Sequence, residues 1–155
     1  MLKIDELANH LARNKERLVG SWIKSNSSYD GAICDVLNME EDTVRYWDAR
    51  WNGVHIEFKK GHSIWLDLVR YSETLLKSNK EASIKTMTLF FIPDRDRTRI
   101  QEVIGVATKD IINQLGLTTK QARELIALNQ TVPRSLNAQA SLTKKDLKGI
   151  ATFVV

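Results

Sequence analysis

A chain of 155 residues suits one domain and is long enough to bury a core without covalent staples. Its single cysteine, Cys34, excludes an internal disulfide, and no apolar run approaches the roughly 18 residues needed to span a bilayer. Hydrophobic content of 43% and charged content of 27% are those of an ordinary globular protein, and the formal net charge of +4 leans toward a phosphate-rich partner.

Residues 3 to 25 read as an amphipathic helix, with Ile4, Leu7, Leu11, Leu18 and Trp22 on one stripe and Arg13, Glu16 and Arg17 on the polar side. The start is polar and lacks the pattern of a secretory signal, so the expected compartment is the reducing cytoplasm. The run SNSSYDG, 25 to 31, is a loop by composition, and the apolar run 32 to 37 is expected to be the first strand. Glu40, Glu41 and Asp42 follow as an acidic cluster.

The stretch TVRYWDARWNGVHIEFKKG, 43 to 61, reads as a hairpin closed by Asn52-Gly53. On its second strand Val54, Ile56 and Phe58 share one face, while His55, Glu57 and Lys59 share the other, which is expected to be exposed. Asp48 closes the first strand and can be brought beside Glu57. Two carboxylates and a lysine at one point are the parts of a magnesium site for phosphodiester hydrolysis. The acids and the backbone carbonyl of Phe58 would hold a hard cation, and the amine would polarise the attacking water. A charged outer face on a half-solvated sheet is the plainer account of Glu57 and Lys59. A third carboxylate would come from Glu40, Glu41 or Asp42, or from Glu16 on the first helix, although Glu16 lies round from the apolar stripe.

Asp48, eight intervening residues, then Glu57-Phe58-Lys59 resembles the catalytic signature of the PD-(D/E)XK nuclease superfamily, which includes most type II restriction endonucleases. Trp47 stands where that signature often has proline. The resemblance implies an α/β fold with a central mixed sheet flanked by helices, restriction-endonuclease-like. It implies a magnesium-dependent endodeoxyribonuclease acting on double-stranded DNA, with Asp48 and Glu57 as metal ligands and Lys59 as the catalytic amine. So small a chain would act as a homodimer to cut both strands. A structure-selective or homing nuclease of the same superfamily, or a DNA-binding module without catalysis, are the alternatives.

Beyond the hairpin, Gly61-His62-Ser63 leads into a helix expected over 64 to 77, with Trp65, Leu68, Val69, Leu75 and Leu76 buried. Residues 85 to 92, KTMTLFFI, read as a central strand buried on both faces. The loop PDRDRTR follows. Lys60, His62, Ser63, Arg95, Arg97 and Arg99 are candidate DNA contacts; local ion pairs and a polar helix start explain them equally well. Thr98 and Gln101 have capping-box spacing before a helix expected over 100 to 115, and Thr118 with Gln121 repeats it before a second one ending at 128. The segment 117 to 136 has a faint helix-turn-helix flavour, and the region 118 to 150 is a candidate DNA-contacting or dimerisation subregion of one domain, 1 to 155. The tail ends in a β-prone stretch, 151 to 155.

Overall fold

Six strands form one mixed sheet in the computed structural model, which describes residues 2–25, 28–42, 47–77, 86–131 and 138–155. In chain order the elements are α1 (Leu2–Asn14), α2 (Asp30–Leu37), β1 (Glu40–Glu41), β2 (Ala49–Trp51), β3 (Val54–Lys60), β4 (Ile64–Asp67) and α3 (Leu68–Lys77), then β5 (Thr86–Pro93), β6 (Ile100–Ala107), α4 (Thr108–Gln114), α5 (Thr119–Thr131), β7 (Gln139–Leu142), α6 (Lys144–Ile150) and β8 (Phe153–Val154). The sheet order is β1-β2-β3-β5-β6-β8. Only β3 and β5 are parallel neighbours, so β1, β3, β5 and β8 run one way and β2 and β6 the other. β4 and β7 make a separate two-stranded ribbon. The chain is thus α/β with helices on both faces of a mixed sheet.

The sheet separates two cores, and the alternation of β5 divides its side chains between them. Val54, Ile56 and Phe58 join Leu7, Leu11 and Leu18 and the α2 residues Ile33, Cys34 and Leu37 on one face. On the other face Phe90, Ile92, Ile104 and Val106 pack with Tyr71, Ile111, Ile112 and Leu147. β5 is buried along its whole length, as its apolar run demands. The hairpin turn is as expected: Asn52 and Gly53 have φ of 47° and 82°, the left-handed pair that a two-residue turn needs. Thr43–Tyr46, the expected start of the hairpin's first strand, lie outside the described residues, as do residues 132 to 137.

Four elements differ from the sequence expectation. Residues 32 to 37 are part of helix α2 and not a strand, because Ile33, Cys34 and Leu37 are spaced to bury one helical face and Asn38 ends the helix at φ 51°. The first helix stops at Asn14. A 3-10 turn over Lys15–Arg17 then lets the Leu18 carbonyl accept the Ile100 N–H. Residues 64 to 67 are a strand, captured by pairing with β7 some 75 residues later, and the helix begins only at Leu68. Finally, Ile100–Ala107 is a strand between β5 and β8, and the helix follows it. The expected box at Thr98 and Gln101 is replaced by Asp94, whose carboxylate accepts from the Thr98 backbone and hydroxyl. The second box forms as expected: the Thr118 N–H donates to Gln121 Oε1 and the Gln121 N–H to Thr118 Oγ1. Among the described residues no helix is long and apolar enough to cross a membrane.

Candidate active site

β2 pairs with β3 only as far as Ala49 opposite Ile56, so beyond Ile56 that edge of β3 is open. Asp48 fills the opening. Its N–H donates to the Ile56 carbonyl, and its Oδ2 accepts the Phe58 N–H at 2.7 Å, a bond that a strand would otherwise make. Asp48 therefore stands just before β2, where its side chain meets β3 at Phe58. It does not close a strand, as had been expected.

A second carboxyl group, not expected from the sequence, acts on it: Asp30, the first residue of α2, stands close enough that the two acids shift each other's titration. Burial raises the Asp48 pKa to about 6 against the opposing Phe58 N–H, with the Asp30 charge adding to the rise. Burial likewise pushes Asp30 up, and the neighbouring Glu41 adds to it. Glu41 lies alongside, its Oε1 3.6 Å from where a Cβ on Gly31 would sit, an ordinary contact distance.

Glu57 occupies the other side of β3 and is buried, 2% exposed, where an exposed acid was expected. The difference arises because α3 covers this face. Arg70 Nη1 donates to Glu57 Oε1 at 2.7 Å, and Lys59 Nζ lies 3.6 Å from the same oxygen. Burial works against the Arg70 charge, but Glu57 and then Asp48 hold its pKa above the ordinary value. Tyr71, fully buried, shares a hydrogen bond with Thr88 and lies beside Glu57, its hydroxyl pKa raised by burial first and by Glu57 second.

The Phe58 carbonyl, expected to be open to a cation, accepts a long 3.4 Å hydrogen bond from the Tyr29 hydroxyl. Burial and the charges of Asp30, Asp48 and Glu57 push that hydroxyl's pKa to about 12. Lys60, a candidate DNA contact by sequence, is bonded to the chain at Trp22 and Ser25. Its Nζ donates to the carbonyls of Trp22 and Ser25 at 2.6 and 2.7 Å and sits 4.9 Å from the centre of the Tyr29 ring. Burial and Arg97 lower its pKa.

The acidic cluster is divided among partners. Glu40 pairs with Arg50 on the surface, and Asp42, nearly buried, accepts from His55 Nδ1 at 3.1 Å, with the Trp47 ring 5.9 Å from that imidazole. Glu16 is exposed on the 3-10 turn that follows α1. Because β3 and β5 are parallel, their C-terminal ends lie at one end of the sheet. His62 and Ser63 are exposed there, as are Arg95, Arg97 and Arg99 in the loop after β5. Arg97 adopts φ 56°, and Arg99 Nε is 3.6 Å from Asp94.

Asp30 and Asp48 together suit a hard cation, since a divalent ion would relieve the repulsion between the two neighbouring carboxylates. Among the described residues no three His, Cys, Asp or Glu side chains converge closely enough to enclose a metal. Magnesium does not need such a cage, being held commonly by one or two carboxylates with water and substrate phosphate completing the shell. Glu57 would join only by exchanging Arg70 for the ion. Compared with family models, curated proteins and solved structures, the chain has no significant match in any of the three.

Proposed function

We propose that this chain is a magnesium-dependent endodeoxyribonuclease on a restriction-endonuclease-like fold, hydrolysing phosphodiester bonds of double-stranded DNA. The observation that carries the reading is the placing of the Asp48 carboxylate on the Phe58 N–H of β3, the strand that also holds Glu57 and Lys59, with the Asp30 carboxyl group acting on it from α2. Support also comes from the element order, in which the acid precedes one strand, Glu57-Phe58-Lys59 lies on the next, and a helix and a parallel strand follow. The exposed basic loop after β5, at the same end of the sheet, fits a phosphate backbone.

In this reading Asp48 and Asp30 would hold the cation, with Glu57 as a further ligand. The bound ion would neutralise phosphate charge and acidify a water. Lys59, whose Nζ is 3.6 Å from Glu57 Oε1, would orient an attacking water and favour its deprotonated form. Asp48 is oriented by the Phe58 N–H. Two subunits related by a two-fold axis would present one such site to each strand.

The test is cleavage of plasmid and phage DNA by the purified protein with magnesium, then with EDTA. Discrete fragments or nicked circles that disappear with EDTA, and with Asp48→Asn, Glu57→Gln or Lys59→Met, support the proposal. DNA that is bound but never cut under any divalent cation would instead indicate a binding module.

A further inference from the structure

We propose that Arg70 is the phosphate-binding residue of this site, kept on Glu57 until a divalent cation takes that carboxylate; the inference rests on the cation-site reading above. Glu57 has two basic partners on one oxygen, Arg70 at 2.7 Å and Lys59 at 3.6 Å, although one charge would balance it. Arg70 also lies in the first turn of α3, where the helix dipole disfavours a cation and where an anion is at home. Asp67 Oδ1 fixes that turn by accepting the Val69 and Arg70 N–H groups, which aims the Arg70 side chain at β3. The Arg70 side chain is 35% exposed, so it is open to a ligand arriving from solvent.

Without a cation, Arg70 cannot leave, because a buried carboxylate stripped of its partner is strongly unfavourable. A divalent ion taking Glu57 would neutralise the carboxylate oxygen that Arg70 Nη1 now meets at 2.7 Å, and with it the reason for Arg70 to stay. The freed fork then matches two oxygens of a phosphate brought to the ion, a pairing that lysine, as a point charge, does not reproduce. Cation and phosphodiester binding are thereby coupled, each strengthening the other.

The experiment follows the Arg70 side-chain Nε–H by 15N NMR, assigned by its loss in Arg70→Lys, during addition of Ca2+ and then of a short DNA duplex of arbitrary sequence. Ca2+ alone should move the Phe58 amide and the Arg70 signal together, and the duplex should move Arg70 again only when Ca2+ is present. Arg70→Gln should bind Ca2+ at least as tightly as wild type but bind the duplex in Ca2+ about tenfold more weakly, the loss of one charge-assisted contact. An Arg70 signal that stays fixed while Phe58 responds to Ca2+, or equal duplex affinity for Arg70→Gln, overturns the role of Arg70 and leaves the cation site standing. A wild-type protein in which Ca2+ moves neither Phe58 nor Asp48 overturns both.

Discussion

Asp48 carries two obligations at once: its carboxylate serves as a backbone acceptor for Phe58, and it is buried with the Asp30 charge close by. Its pKa of about 6 in the fold lies above the ordinary 3.8, so the folded state holds its proton more tightly than the unfolded chain does. The stability tied to it is therefore complete below about pH 3.8 and is lost as pH rises through about 6. Asparagine keeps the acceptor for Phe58 and cannot ionise. Asp48→Asn should thus gain on wild type between pH 4 and pH 7, by about 1–2 kcal/mol after allowance for partial exposure, and the gain should level off above that. Urea unfolding at several pH values without divalent ions reads this out; a constant difference across the range would refute it. Arg70→Met should act the other way and cost about 2–3 kcal/mol at pH 7, because it leaves Glu57 buried with only the more distant Lys59. Glu57→Gln combined with Arg70→Met should recover part of that loss, and failure to recover any would mean that Arg70 stabilises by packing alone.

At the scale of elements, the hairpin and β5 could be read directly, because Asn52-Gly53 and the run of buried residues through Ile92 are local signals. The strands β4 and β6 could not. Ile100, Val103, Ile104 and Ala107 have helical spacing, yet they lie in a strand because β5 and β8 supply partners from elsewhere in the chain. Gly105 is the local sign that was passed over: a Cβ there would collide with the Phe153 ring, which marks a close approach between strands. Gly105→Ala should accordingly cost about 1–3 kcal/mol by overpacking. It should also speed hydrogen exchange at the Val103 and Val155 amides, which bond each other's carbonyls across this seam. Unchanged exchange there would mean that β8 adapts without cost. Three residues of the candidate site were legible for the same reason. Asp48, Glu57 and Lys59 stand on the hairpin, whereas Asp30 was hidden in a stretch that reads as loop, and Arg70 in a helix whose start was placed four residues too early. An arginine in a first helical turn, against the dipole, was the available clue to the latter.

For the whole molecule, the mixed sheet gathers its chemistry along the open edge and C-terminal end of β3, with α2 delivering Asp30 from one face and α3 delivering Arg70 from the other. On the proposed reading, one cation site among the described residues of each chain leads to the expectation of a dimer on DNA that cuts both strands. Mixed dimers of wild type with Glu57→Ala should mainly nick supercoiled plasmid, and concerted double-strand cuts by a protein that sediments as a monomer would dismiss that arrangement. The most direct test of the central claim, that these carboxylates form one divalent-cation site, is the anomalous scattering of crystals grown with Mn2+. One manganese per chain is expected in contact with Asp30 and Asp48, lost in crystals of Asp48→Asn, with Glu57 turned from Arg70 toward the ion. Crystals that hold manganese elsewhere, or show the Glu57–Arg70 pair intact and no ion at Asp48 with Mn2+ at millimolar concentration, would contradict it.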